Sequence, residues 1–181
     1  MDNAIHRIRE AADIDPEEPR IWWLLGMATA YSGNWEEEER CYRKSVALNP
    51  CDANALAALA MVLITRGERD SGLAMFKEAF RLNPYHPEWY WIDFGSSLYV
   101  CERYQAAIEA YAHRRNPGIW VLCRIAACYA QLNRMKEARS TVEAIKEINP
   151  KFRLSQQRAG SWGPDDTARF RSGMIKAGLP E

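Results

Sequence analysis

The chain has no long apolar run. None of its segments approaches the roughly 20 residues that cross a bilayer as a helix, and the opening, Met1 to Glu10, is polar and lacks the apolar stretch of a secretory leader. Net charge is also missing. Lysine plus arginine and aspartate plus glutamate number 24 each, so no global field draws in nucleic acid or an anionic membrane. The five cysteines, at 41, 51, 101, 123 and 128, are odd in number and contain no CxxC pair, which points to reduced packing thiols and a cytoplasmic protein.

Signatures of chemistry are missing as well. His6, His86 and His113 stand apart from one another and from cysteine, there is no HExxH, and the glycines form neither GxGxxG nor a Walker loop. These absences argue against a metal site, a cofactor, a nucleotide cradle and a catalytic constellation, so the chain is expected not to be an enzyme. The run Glu36 to Glu39 falls where a helix should begin and reads as a solvated first turn that complements the helix dipole. What the chain does have is apolar and aromatic residues, 48% and 11% of the total, enough for a continuous core and too many for a largely disordered chain.

Those residues recur with a period. The phrases DIDP, ALNP, RLNP and EINP end at Pro16, Pro50, Pro84 and Pro150, and the first three prolines are separated by 34 residues each time. Between them apolar residues fall at i, i+3, i+4 and i+7, interrupted once per unit by Gly33, Gly67 or Asn133, residue types that tolerate the left-handed backbone at a helix end. Each unit therefore reads as a helical hairpin.

The first full unit carries Trp22, Leu25, Gly26, Trp35, Tyr42, Leu48 and Pro50; the second carries Leu56, Leu59, Ala60, Leu63, Gly67, Phe76, Ala79, Leu82 and Pro84. The third carries Trp91, Phe94, Gly95, Leu98, Tyr104, Ala107 and Tyr111, and the fourth Leu122, Ile125, Ala126, Tyr129, Ala138, Val142, Ile145 and Pro150. This pattern resembles the tetratricopeptide repeat (TPR), with small residues where paired helices approach and aromatics filling the gap to the next hairpin. The resemblance implies an all-α fold, a right-handed α-solenoid of TPR hairpins with a C-terminal capping helix. The expected hairpins span 19–52, 53–87, 88–118 and 119–150, followed by an irregular segment and a capping helix over 151–181.

Residues 1–18 read as the second helix of an incomplete repeat, with Ala4, Ile8, Ala11 and Pro16 in the places of later core residues. Either this helix caps the array from a true start at Met1 or, as the closely kept repeat phase favours, the chain is a piece cut from a longer protein. Three departures from the pattern stand out. Glu38 occupies a small-residue position, so the first hairpin is expected to splay or to release that carboxylate to solvent. Glu102 replaces a turn glycine, which argues against a left-handed turn there. In the third unit HRRNPGIW cuts the second helix short.

The tail, GPDDTARFRSGMIKAGLPE, reads as a last helix with Pro164 early, Asp165 and Asp166 near its positive end and Gly178 as its stop. Phe170, Met174 and Ile175, with Trp162, form its expected capping face. GPDDTARF and KAGLPE resemble the C-terminal regions of some bacterial proteins in which TPR arrays follow a class III adenylate or guanylate cyclase domain or a winged-helix domain. That resemblance implies a regulatory or assembly region of a signalling protein whose catalytic domain would lie upstream.

In TPR arrays the first helices line a concave channel. The residues that would face it here are Trp23, Met27 and Tyr31, then Ala57, Met61 and Ile64, then Trp89, Ile92 and Tyr99, then Trp120, Cys123 and Ala127. The lysines, arginines and asparagines of a carboxylate clamp are absent from these positions. An apolar helix or strand of a protein or peptide partner suits such a surface, as would another domain of the same polypeptide, the chain's own C-terminal segment or a second copy in a homodimer. A stand-alone adaptor or chaperone is the alternative reading of the whole.

Overall fold

The computed structural model describes residues 2–156 and 162–180, and residues 157–161 of the irregular stretch expected before Trp162 lie outside them. Among the described residues there are ten α-helices, one short 3-10 turn and no strand. Backbone contacts divide the chain into two compact units, residues 1–86 and 87–181.

Unit 1 opens with α1 (Asp2–Ile14) and continues with the hairpins α2 (Pro19–Ser32) with α3 (Trp35–Leu48) and α4 (Ala53–Thr65) with α5 (Arg69–Leu82). The starts follow local chemistry. Pro19 stands at the first turn of α2, Asn34 accepts from the Glu37 N–H, and Asp52 accepts from the N–H groups of Asn54 and Ala55. The stops at Gly33 and Gly67 are left-handed, with φ of 77° and 98°. At Gly26 a Cβ would come within 2.6 Å of the Tyr42 ring, so glycine is what lets α2 and α3 close. Ile5 and Ala12 of α1 are buried, Ile5 with Leu25 and Cys41, while Ala4 is exposed and Ile14 is 85% exposed.

Unit 2 contains α6 (Trp89–Val100) with α7 (Tyr104–Ala112), α8 (Ile119–Gln131) with α9 (Met135–Ile148), the 3-10 turn Leu154–Gln156, and α10 (Pro164–Ala177). Helix α7 has 9 residues against 14 in α9, the expected shortening, and His113 at its end stacks on Trp91 at 3.8 Å between ring centres. Gly95 lies against Tyr111, where a Cβ would meet the ring at 2.5 Å.

The expectation at Glu102 is corrected. Its φ is +60°, as left-handed as Asn133 at +57°. Hairpin closure imposes the turn despite the Cβ, and the side chain pairs with Arg169 at 3.3 Å.

Glu38 also departs from expectation. It remains on the packed side of α3 at 6% exposure, and burial pushes its carboxyl up to about 7, partly countered by the charge of Arg66. The side chain does not reach solvent, and its burial favours the protonated form.

Candidate functional site

On unit 1 the first helices place an apolar face toward solvent. Trp23, Met27 and Tyr31 recur every four residues along α2, which puts them in one row, and Met61 lies on α4. Trp23 and Met27 pack against Tyr42, Leu59, Val62 and Leu63 and keep part of their surface open. Tyr31 is 71% exposed, and Leu24, absent from the sequence-based face, is 43% exposed. The indole N–H of Trp23 is buried without an acceptor. By contrast, the Trp22 indole donates to the Pro16 carbonyl at 2.8 Å and secures the turn between α1 and α2.

Ile64 does not join this face. It is 1% exposed and lies against Gly72 of α5, because three residues beyond Met61 the helix has turned toward its own partner. Ala57 is fully buried as well.

On unit 2, Trp89, Ile92 and Trp120 are partly or largely open, Trp120 at 45%, with its ring edge-on to Phe152 at 6.0 Å. Cys123 and Ala127 are buried. Tyr99 is fully buried, a second departure from the expected face. Trp162 stacks on it at 5.3 Å with the rings 7° apart, and Phe170 meets it edge-on at 6.1 Å.

The cover is α10, the chain's own C-terminal helix. Phe170 and Met174 are buried as expected of its docking face, whereas Ile175 is 47% exposed and lies off it. The Gln131 amide donates to the Arg169 carbonyl at 3.0 Å, and Arg169 donates to the Val100 carbonyl at 3.4 Å and pairs with Asp166. Leu179 and Leu154 are buried together near the chain end, where the Leu154 N–H donates to the Pro180 carbonyl.

Asp93 and Arg124 escaped the sequence reading. They stand at matching positions on α6 and α8, each just before the pair that lets the helices close, Phe94–Gly95 and Ile125–Ala126. Both are partly buried, with no ion pair or hydrogen bond linking them among the described residues. Burial raises the Asp93 carboxyl to about 6 against the opposing pull of Arg124. The Arg124 guanidinium lies 5.7 Å from the Trp162 ring centre, and its Nε is buried without an acceptor. The available signal was a charge where Leu24 and Ala58 stand in unit 1.

Among the described residues no group of three or more His, Cys, Asp or Glu side chains is placed to hold a metal ion. Burial raises the Cys41 thiol to about 11 and the Cys123 thiol to about 12, the opposite of what a nucleophile needs. A cleft of about 290 Å³ lies between α1 and the first hairpin, but Arg9 and Glu37 close on each other across it through two hydrogen bonds of 2.8 and 2.9 Å. No described helix is long and apolar enough to cross a membrane.

Helical hairpins with small residues at their crossings and left-handed turns between them are the fold of the TPR proteins, whose domains bind proteins or peptides. Residues 121–152, covering most of α8 and α9, match a family profile described as Tetratricopeptide repeat. The chain is 25% identical over 114 residues to "Tetratricopeptide repeat-containing protein trd-1" of Caenorhabditis elegans, a match that spans 63% of this chain and 14% of that protein.

Among solved structures, TTC0263 of Thermus thermophilus, described as a thermophilic TPR protein, superposes with a TM-score of 0.68 at 18% identity, covering 96% of this chain and 90% of that one. YrrB, described as a TPR protein with an unusual peptide-binding site, superposes with a TM-score of 0.61 at 14% identity, covering 94% and 95%. MamA superposes at 0.62 with 20% identity, covering 83% and 91%.

Proposed function

We propose that the chain is a non-catalytic scaffold that binds segments of other proteins through the apolar faces of its first helices. The observation that carries this reading is the row Trp23, Met27 and Tyr31 with Leu24 beside it, where large apolar groups keep part or most of their surface open on a packed hairpin. Aromatic side chains in such settings gain most from being covered by a partner. Trp89, Ile92 and Trp120 are the matching contacts on unit 2.

The ligand is an apolar helix or strand of a protein. A clamp for a chain-terminal carboxylate would need unpaired cations on these faces; on unit 2, Arg124 has Asp93 across from it and Arg169 pairs with Asp166 and Glu102.

The narrower form of the proposal makes this region the regulatory or assembly part of a larger bacterial signalling protein of the cyclase type, acting in the cytoplasm. Its support is the tail sequence GPDDTARF and KAGLPE, which forms most of α10 and its stop. A homodimer through the same faces is the competing use of the surface.

Selection of peptides from a random 16-residue library on the full chain tests the proposal, followed by measurement of their affinity for Trp23→Ala/Tyr31→Ala and for Trp120→Ala. At least tenfold weaker binding by one of these variants, with helix content unchanged, is the expected result. Equal affinity for all three chains would remove these faces from the function.

A further inference from the structure

The position of α10 differs from that of a helix that merely continues the stack. Within unit 2 the next hairpin packs onto the second helix of the preceding one, α8 onto α7. Helix α10 instead packs chiefly on α8, the first helix of the last hairpin, and only secondarily on α9. It also reaches back to α6 and its turn, through Tyr99, Val100 and Glu102. The last helix therefore lies against the first helices of unit 2, the elements through which the proposed function takes a ligand.

Its fit there is good in shape and incomplete in polarity. Phe170 fills the space beside Tyr99, and Met174 and Ala177 are buried along the same stripe. Gly173 lets the backbones approach, since a Cβ there would stand 3.2 Å from the Gln131 amide and 3.4 Å from Ala127. Yet the Nε of Arg124, the Nε of Arg169 and the indole N–H of Trp162 are all buried without acceptors among the described residues. A permanent core element rarely leaves so many donors unmet along one contact.

We propose that α10 is an internal stand-in for a partner. The face formed by α6 and α8 takes an amphipathic helix that presents a large aromatic residue, a small residue three positions on, methionine next and another small residue three further, as Phe170, Gly173, Met174 and Ala177 do. A partner helix of this kind, able to supply acceptors to Arg124 and to an indole, competes with α10 for the face. This rests on the reading of the first-helix faces as binding surfaces and adds the kind of ligand and its internal competitor.

The probe is a fluorescein-labelled peptide of residues 162–180, added to the full chain and to its Gly173→Leu variant, whose own helix no longer seats against Ala127. Against wild type the peptide meets a tethered competitor at an effective concentration of order millimolar, so binding in trans is weak. The variant is expected to bind it at least tenfold more tightly, and Tyr99→Ala added to the variant to abolish the gain. Equal binding to wild type and variant, with helix content preserved, overturns the proposal.

A second measurement needs no substitution. In the unmodified chain the amides of residues 168–177 are expected to exchange with solvent at least tenfold faster than those in the centres of α8 and α9. Equal protection would make α10 a fixed part of the core and would also overturn the proposal. Capture of library peptides through Trp23 and Tyr31, with no effect of Gly173→Leu, would leave the binding function standing while removing this inference. Loss of all peptide binding would remove both.

Discussion

Replacing Glu38 by glutamine should free the protein from a pH-dependent loss of stability. In the folded chain the carboxyl is 6% exposed and titrates at about 7, against 4.5 in the open chain, with burial as the main cause and Arg66 only partly offsetting it. Between those values the folded state holds a proton that the unfolded state has released, so stability falls as pH rises through this window. At about 1.4 kcal/mol per pH unit, the loss approaches about 3 kcal/mol once the pH is well above 7. Below about pH 4.5 the loss vanishes, because both states are then protonated.

The assay is urea unfolding followed by circular dichroism at pH 5 and pH 8. Asp93, raised to about 6, contributes a loss of the same sign, so the informative quantity is the difference between wild type and Glu38→Gln at each pH. Wild type should lose about 2 to 3 kcal/mol more than the variant between the two pH values. Parallel pH profiles would refute the reasoning, because they would mean that Glu38 is solvated in the folded chain.

Other expectations follow from single contacts. Gly95→Ala drives a methyl into the Tyr111 ring and should cost about 2 kcal/mol, read as a lowered urea midpoint with unchanged slope. Glu102→Gly relieves a left-handed residue and loses an exposed ion pair with Arg169; a net gain of about 0.5 to 1 kcal/mol by thermal unfolding is expected, and a loss would show that the ion pair governs. Ellman's reagent should modify exposed Cys51 quickly and Cys101 more slowly, leaving Cys41, Cys123 and Cys128 unreacted until the chain unfolds.

The hairpins were legible in the sequence because their signals are local. Period, turn residues and small crossing residues each lie within one unit, and Gly33, Gly67 and Asn133 adopt the left-handed backbone that their residue types suggested. Glu102 was misread because residue preference is a weak prior, which the closure of a packed hairpin overrides.

Faces were harder to read than elements. Ile64 was assigned to the open side because spacing alone does not separate neighbouring rows of a helix that is apolar on nearly every side, and α4 is such a helix. Tyr99 was misplaced for a different reason. Its cover comes from Trp162 and Phe170, far along the chain, and no local pattern reports that contact. Asp93 and Arg124 went unnoticed because a charge at helical spacing usually signifies a solvated surface, and only the packing of α6 and α8 shows them partly buried.

The central claim is that the first-helix faces hold a protein ligand, and the tryptophan indole signals of the full chain test it most directly. Adding a library-selected peptide to saturation should shift the indole signal of Trp23 or that of Trp120, while those of Trp22, bonded to the Pro16 carbonyl, and Trp35, at the start of α3, stay in place. Shifts confined to Trp22 and Trp35 would contradict the account.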